Sequence, residues 1–404
     1  MMARFLSVCS GIEAASCAFA PLGWQAVGFA EIEKFTCEVL AHHYGANMPG
    51  APLATNGVPN FGDFTTIPLG PASPLGRVDL LCGGTPCQSF STAGRRGSLA
   101  DSRGNLSLAY VDLAHGLVEH HGLRNALWEN VPGVLSTGDN AFGCFLGGLV
   151  GAGDALRLPR GCARWPDAGL ASGPRARAAW RILDAQYFGL AQRRRRVFVV
   201  ADFGNGADPA AVLFERAGVR GNPPARGEAG EGTASDAGAC AAIGGTGRGT
   251  PIVPVMTFPA RMLSTQTASC CDVAPSLQAI NQTAVAFDLR GRDGGAMPEG
   301  PHETANLRAA SGGSSRSYVA QSDHAARWAV RRLTPRECER LQGFADDYTA
   351  IPRGGKPASA CPDGPRYKAL GNSWAVPVVR WIGARIAAHM PSAERGAPPE
   401  GIAP

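Results

Sequence analysis

The first 200 residues alternate short apolar runs with longer segments in which apolar residues recur every three or four positions. The apolar runs have the length of buried strands, and they occupy residues 4–8, 24–30, 78–82, 125–131 and 196–203. The segments at 33–45 and 104–120 have the period of amphipathic helices. This alternation predicts an α/β fold with a Rossmann-like, doubly wound, mostly parallel sheet that is covered by helices.

The alternation stops after residue 203. Residues 204–328 are rich in Gly, Ala, Ser and Pro, with scattered strand-like pieces, and predict a smaller irregular domain that is partly flexible. Helical patterns return at 331–344, where Thr334 precedes Pro335 and Glu337 as in a capping box, and at 376–390. We therefore predict a domain at 1–203, a second at 204–328, a return segment at 329–390 that completes the first, and a loose tail at 391–404. Residues 137–169 predict a loop with one poorly defined helix.

Composition narrows the class of protein only slightly. The chain has 404 residues, 12 cysteines and a formal net charge of +5. It contains neither a run long enough to span a bilayer nor the apolar core of a signal peptide, so we expect a cytoplasmic protein with reduced thiols. The basic run from Arg193 to Arg196 fits either a solvated face or phosphate contacts.

Three strand ends carry residues that suit a nucleotide. A turn with Gly11 follows the first strand, Glu31 ends the second strand twenty residues later, and Asp63 follows in a third segment. Doubly wound folds place a ribose-binding carboxylate at this spacing. Each residue alone is better explained as a turn or a helix cap, but together they predict an adenosine pocket at the carboxyl edge of the sheet.

The sequence GGTPCQSFS at 83–91 places Cys87 on a sharp turn just beyond a strand. Most cysteines are buried structural residues. A thiol on a rigid turn with polar neighbours is also typical of a nucleophile.

Seven segments, in this order, resemble the motifs of the cytosine carbon-5 DNA methyltransferases, which use S-adenosylmethionine. They are FLSVCSGIEAAS, GDFT, GTPCQSFS, WENVPG, QYFGLAQRRRRVFVV, RRLTPRECERLQGF and YKALGNSWAVPVV. Their joint order is far more specific than any one of them. The resemblance covers most of the chain outside 204–328.

This resemblance implies a mechanism. The thiolate of Cys87 adds to carbon 6 of a cytosine, which makes carbon 5 nucleophilic, while Glu129 protonates and holds N3. Arg196 contacts the carbonyl oxygen of the base, and Arg194 steadies the catalytic loop and a phosphate. Because carbon 6 is inaccessible in a stacked duplex, the nucleotide must be rotated out.

The resemblance also implies the remaining site residues. S-adenosylmethionine is expected to contact Phe5, Ser10, Gly11, Ile12, Glu13, Glu31, Ile32, Asp63, Phe64, Pro86, Asn372 and Ser373. DNA is expected to contact Gln88, Ser89, Ser91 and Gln192. Residues 204–328 would form the target-recognition domain, in which Arg261, Arg290, Arg292 and Arg316 suit phosphates and base edges, although ordinary surface arginines explain them about as well.

Two departures from the family pattern and several alternatives remain. Ala191 stands where the family has proline, and Ile32 stands where an aromatic residue often stacks on adenine. No spacing of His and Cys predicts a metal site. The substrate is expected to be double-stranded DNA; transfer RNA, or DNA binding without catalysis, are the alternatives. We expect a monomer that acts alone or beside a cognate restriction endonuclease.

Overall fold

The computed structural model describes residues 2–86, 106–158, 162–214 and 332–391 in full, together with the backbone of the strands between residues 254 and 331. Its main sheet has seven strands in the order β2-β1-β3-β4-β7-β6-β5. The strands are β1 (Arg4–Val8), β2 (Gln25–Ala30), β3 (Leu80–Gly83), β4 (Asn125–Asn130), β5 (Ala168–Ser172), β6 (Arg177–Asp184) and β7 (Arg195–Asp202).

The strand directions bring several chain segments to one edge of this sheet. Strand β1 pairs in parallel with β2 and β3, and β3 pairs in parallel with β4. Strand β7 is antiparallel to β4, and β5 is antiparallel to β6. The carboxyl ends of β1 to β4 therefore share an edge with the first residues of β7. The predicted mostly parallel α/β sheet is confirmed.

Helices lie along both faces of the sheet because side chains alternate along each strand. The helices of the described residues are α1 (Ala14–Phe19), α2 (Lys34–Tyr44), α3 (Leu106–His121), α4 (Ala141–Val150), α5 (Pro209–Leu213), α6 (Pro335–Gln342), α7 (Asp363–Asn372) and α8 (Val376–His389). Helices α6 and α7 belong to a second compact unit and not to the layers of this sheet. On one face, the ring of Phe5 contacts that of Phe19 in α1 at 5.1 Å between centroids. Gly383 of α8 approaches Phe19 so closely that a Cβ would lie 2.6 Å from its ring. Leu6 points to the other face and joins the core that contains Tyr110 of α3.

Aromatic side chains fill this second core. Trp128 of β4 stacks on Phe145 of α4 with 4.3 Å between ring centroids, and Phe142 and Trp180 meet edge to face. Fully burying one such side chain stabilises a fold by about 1.5–3 kcal/mol. The middle of the sheet is thus supported by closely packed aromatic side chains.

Most predicted elements are confirmed, but residues 137–169, strand β6 and helices α5 and α7 differ from the prediction. The predicted capping box of Thr334 and Glu337 opens α6. Residues 137–169 hold a well-formed helix, α4, and the start of β5, where a loop with a poorly defined helix was expected. Strand β6 and helices α5 and α7 were not predicted.

Residues 254–332 contain antiparallel strands. Strands β10 (Leu277–Ala279), β11 (Gln282–Asp288), β12 (Ser317–Ser322) and β13 (Trp328–Arg332) pair in sequence order into one sheet. Strand β8 (Pro254–Val255) pairs with β9 (Asp272–Val273). Strand β11 lies at one of the strand-like pieces of this region, the sequence TAVAFDL at 283–289. The predicted boundaries at 203 and 328 stay predictions.

The chain divides into two compact units. The first comprises Met1–Leu183, Arg195–Arg220 and Val378–Pro404, and the second comprises Asp184–Arg194 and Gly221–Pro377. In the described part of the chain, no helix is both long and apolar enough to cross a membrane.

Candidate active site

The turn after β1 has an unusual backbone. Cys9, Gly11 and Glu13 have φ angles of 48°, 56° and 64°, in the left-handed region that few residues besides glycine adopt. The amide of Ser10 donates to the Ala30 carbonyl at 3.2 Å, and the Ser10 hydroxyl accepts from the Ala30 amide at 3.1 Å. These bonds fix the turn to the end of β2.

Glu31, the next residue after β2, is held by three backbone amides. Its Oε2 accepts from Gly11 N at 2.7 Å. Its Oε1 accepts from the amides of Ile32 and Glu33 at 2.9 and 2.8 Å. A carboxylate can accept about four hydrogen bonds, so Oε2 retains capacity for a hydroxyl donor. The side chain of Ile32 is 70% exposed next to this carboxylate.

The turn at Asp63 presents a second carboxylate. Asp63 is exposed, and its Oδ1 accepts from both the amide and the hydroxyl of Thr65 at 2.9 Å. The predicted cofactor residues Phe5, Ile12 and Phe64, by contrast, are buried in the core. Contacts of these three residues with a ligand would therefore come mainly from their main chain.

Glu13 is a fully buried acid at the start of α1. Its Oε1 accepts from the amide and the hydroxyl of Ser16 at 3.0 and 3.1 Å. Burial raises the pKa of Glu13 to about 7, and the charge of Glu31 adds to this rise while the hydroxyls of Ser7 and Ser16 oppose it.

Thr85 anchors the segment that leads to the predicted nucleophile. Its hydroxyl accepts from Trp128 Nε1 at 3.1 Å and lies 2.8 Å from the hydroxyl of Ser107. Its carbonyl accepts from Asn130 Nδ2 at 3.0 Å. Pro86 follows and is exposed. The predicted residues that come next lie outside the described part of the chain, as do the arginines expected to contact DNA: Cys87, Gln88, Ser89, Ser91, Arg261, Arg290, Arg292 and Arg316.

Glu129 and Arg196 form an ion pair at the same sheet edge. Arg196 Nε lies 3.1 Å from Glu129 Oε1, and the two side chains are only 12% and 10% exposed. The antiparallel register of β4 and β7 places them together, since Asn130 is opposite Val197. The structure thus brings a carboxylate and a guanidinium to the edge where Thr85 also lies.

In the second unit, Arg194 is buried against a helix end. Its Nη atoms donate to the carbonyl of Gly371 at 3.3 Å, and Nη2 donates to that of Ser373 at 2.6 Å. Its backbone amide donates to Asp184 Oδ1 at 2.9 Å. With 3% exposure, Arg194 is better placed to position the segment after α7 than to contact a phosphate directly. Asn372 is exposed, whereas Ser373 is buried.

Gln192 is also buried in the second unit. Its Nε2 donates to the Leu341 carbonyl at 2.8 Å and to Gln342 Oε1 at 3.3 Å. Gln342 in turn donates to the Leu370 carbonyl at 2.7 Å. Since Gln192 is fully buried, these bonds favour a role in joining α6 and α7 over the predicted contact with DNA.

Some residues at the site have no sequence signal that singles them out. Burial is the main cause that raises the pKa of the Cys9 thiol, to about 12. The nearby charges of Glu31 and Asp63 add to this rise. Thr85 and Asn60 make buried hydrogen bonds to residues far away in the sequence. Thr85 lies inside the motif GTPCQSFS, but no feature of that motif distinguishes it from its neighbours. Asn60 lies outside every motif, and its partners became visible only in the fold.

Comparison with known proteins identifies the family of this chain. The family model for C-5 cytosine-specific DNA methylase matches residues 3–149 and 277–388. A relative from Escherichia phage P1, named DNA N-6-adenine-methyltransferase, is 40% identical over 94% of this chain and 60% of its own length. The orphan methyltransferase M.Rho11sI of Bacillus phage rho11s is 34% identical over 33% of this chain and 24% of its own. This chain thus spans less than two thirds of either relative.

Among solved structures, a methyltransferase of Entamoeba histolytica, EhMeth, aligns over 97% of this chain and 100% of its own with a TM-score of 0.50 and 11% identity. At that identity the likeness concerns the fold alone. The family match covers well over half of the chain and includes the segments of Gly11, Glu31, Asp63 and Glu129. This chain belongs to the C-5 cytosine-specific DNA methylase family.

Proposed function

We propose that this protein transfers a methyl group from S-adenosylmethionine to carbon 5 of a cytosine rotated out of duplex DNA, through a covalent bond to Cys87. The ion pair of Glu129 and Arg196, 3.1 Å apart at the sheet edge that also carries Glu31, is the observation that carries the proposal. It supplies a carboxyl group and a guanidinium side by side, as the N3 and O2 atoms of cytosine require.

The residues at the ends of β1 and β2 fit the cofactor. Glu31 has acceptor capacity at Oε2 for a ribose hydroxyl, and exposed Ile32 offers an apolar surface for a ring. A Cβ on Gly11 would meet nothing within 4 Å, so the main chain there is open to a ligand. Asp63 is exposed and can accept from an exocyclic amine. When bound, S-adenosylmethionine supplies an electrophilic methyl group.

The residues of this chain would prepare the cytosine for that group. The Cys87 thiolate forms a bond to carbon 6, and the electrons of the 5,6 double bond shift through carbon 4 to N3, where Glu129 in its protonated form delivers a proton. Arg196 holds O2. After methylation, loss of the carbon 5 proton to a base restores the 5,6 double bond and expels the thiolate, and N3 returns its proton to Glu129. The adduct needs access from above the ring, so the nucleotide must leave the base stack.

Adenine methylation is a second candidate, because the phage P1 relative is named for it. The exocyclic nitrogen of adenine carries its own lone pair and needs no covalent activation by a thiol. The two candidates therefore differ in their dependence on Cys87.

Product analysis separates them. The purified protein is incubated with tritiated S-adenosylmethionine and either unmethylated genomic DNA or transfer RNA, and the nucleic acid is digested to nucleosides for mass spectrometry. We expect 5-methylcytosine, and a loss of at least about 1,000-fold in Cys87→Ala because the covalent step has no substitute. DNA that carries 5-fluorocytosine should trap the wild-type protein as an adduct at Cys87.

Each other outcome identifies a different function. N6-methyladenine that persists in Cys87→Ala would establish the adenine reaction. Label that enters only transfer RNA would assign an RNA substrate, and no label with any nucleic acid would leave a binding protein. Cys87→Ala must still bind S-adenosylhomocysteine, which controls for its folding.

A further inference from the structure

Asn60 is a buried residue that joins the two turns of the proposed cofactor site. It is 1% exposed. Its Oδ1 accepts from the amides of Glu31 and Gly62 at 3.0 and 3.1 Å. Its Nδ2 donates to the Glu31 carbonyl at 3.1 Å and to Cys37 Sγ at 3.5 Å. One side chain thus holds Glu31 at both its amide and its carbonyl, and also the residue before Asp63.

The backbone brings Asn60 to this place by extending the sheet. Asn60 forms a parallel bridge with Phe29 at the end of β2. The amide of Phe29 donates to the Pro59 carbonyl, and that of Phe61 donates to the Phe29 carbonyl, both at 2.8 Å. Gly28 of β2 leaves room for this approach, because a Cβ there would lie 2.6 Å from the Phe61 ring and would force the ring to move.

A second asparagine, Asn47, holds Asn60 in turn. Asn47 Oδ1 accepts from the Asn60 amide and Nδ2 donates to the Asn60 carbonyl, both at 2.8 Å. The same Oδ1 accepts from Ala54 N at 3.1 Å. Since Asn47 touches neither Glu31 nor Asp63 in these bonds, its influence on them must pass through Asn60.

We propose that Asn60, held by Asn47, positions Glu31 and Asp63 before the cofactor arrives and thereby sets the affinity for its adenosyl half. The proposal rests on the function proposed above. Ordering a loop on binding costs free energy, and a loop already held in place avoids that cost. Without Asn60 the Glu31 amide loses its side-chain partner, and the Glu31 carbonyl keeps only the thiol of Cys37. The backbone that carries the Glu31 carboxylate is then held less firmly.

A purely structural asparagine is the competing explanation, and Asn125 provides the matched control. Asn125 is fully buried in the same unit. Its Nδ2 donates to the carbonyls of Ala201 and Ala207 at 2.9 and 3.0 Å, and its Oδ1 accepts from Ala207 N at 2.8 Å. It begins β4, at the sheet edge opposite to Glu31. Loss of its side chain should destabilise the fold without altering the cofactor residues.

The test measures the Kd of S-adenosylhomocysteine by titration calorimetry for the full-length wild type, Asn60→Ala, Asn47→Ala and Asn125→Ala, with Tm recorded for each. We expect Asn60→Ala to raise Kd by about ten-fold, the equivalent of about 1.4 kcal/mol. Asn47→Ala should raise it by a smaller factor. Asn125→Ala should lower Tm as Asn60→Ala does and leave Kd within about two-fold, the scatter expected for an uncoupled distant site.

The double variant Asn47→Ala/Asn60→Ala tests the order of action. It should bind no more weakly than Asn60→Ala, because Asn47 acts through Asn60. If Asn60→Ala does not fold, Asn47→Ala carries the comparison with Asn125→Ala. Equal Kd values for the wild type and the folded variants at Asn60 or Asn47 would overturn the positioning role. A wild type that does not bind S-adenosylhomocysteine would instead refute the proposed function before any variant is compared.

Discussion

Glu13 places a carboxyl group where water cannot reach it, and the pH dependence of stability should report it. Its pKa is raised from an ordinary value of 4.5 to about 7, chiefly by burial. Between these two values the folded chain holds a proton that the unfolded chain has released, so stability falls as pH rises. The contribution is complete below pH 4.5 and is lost as pH passes 7; it amounts to about 3 kcal/mol. Urea unfolding at a series of pH values between 5 and 8.5 measures this change.

Glu13→Gln is the control for this prediction. Glutamine keeps an oxygen that can accept from the amide of Ser16, which Glu13 Oε1 contacts at 3.0 Å, but it does not titrate. The variant should therefore lose much of the fall in stability between pH 5 and 8. A fall of the same size in both proteins would locate the titrating group elsewhere.

The buried side chain of Arg194 stabilises the C-terminal end of helix α7. The last carbonyls of a helix have no partner within the helix, and Arg194 donates to those of Gly371 and Ser373 from a buried position. We expect Arg194→Ala to lower the free energy of unfolding by about 3 kcal/mol, since it leaves buried acceptors unsatisfied. Arg194→Lys should recover only part of this loss, because an ammonium group lacks the planar fork of a guanidinium. Urea denaturation measures both.

The neighbouring Arg193 is exposed and serves as the matched control. Arg193→Ala should change the unfolding free energy by less than about 0.5 kcal/mol, as surface substitutions usually do. If Arg194→Ala were as stable as Arg193→Ala while DNA binding weakened, Arg194 would be a phosphate ligand instead of a positioning residue.

The elements that the sequence predicted best are those whose own pattern decides their structure. Strands β1 and β4 are short apolar runs, and α6 begins with a capping box that is local in sequence. Strand β6 was missed because Arg177 and Arg181 interrupt its apolar pattern; they are held by Asp202 and by the Leu213 carbonyl, which only the fold brings near. Helix α7 was missed because Gly364 and Pro365 stand in its first turn, where a proline is in fact tolerated.

The site residues also divide into those that a local sequence pattern marks and those that only the fold brings together. Glu31 could be singled out because its distance from Gly11 in the chain is fixed by one strand, one turn and one helix. The contact of Glu129 with Arg196 depends on the direction in which β7 enters the sheet, and direction is not encoded in a hydrophobic pattern. Asn60 acts through a partner 29 positions away, so no local signal marks it.

The chain as a whole has a small positive charge, +5 over 404 residues, and matches the family in two separate segments, 3–149 and 277–388. Its residues for the proposed cofactor are acidic, uncharged polar or apolar, whereas the proposed polymer substrate is a dense line of phosphates. The two ligands should therefore respond differently to salt. Cations released from DNA on binding make that step strongly salt-dependent, but no such release accompanies a small zwitterionic ligand.

We accordingly predict that raising NaCl from 50 to 200 mM weakens binding of a 30-base-pair duplex by about 1,000-fold if roughly six phosphates are contacted. The Kd of S-adenosylhomocysteine should change by less than about three-fold over the same range, because salt already screens much of the interaction between exposed charges. Fluorescence anisotropy of a labelled duplex and titration calorimetry with S-adenosylhomocysteine measure the two Kd values on the same protein preparation. A duplex affinity that is indifferent to salt would mean that phosphates are not the main contact, and DNA would then have to be abandoned as the substrate.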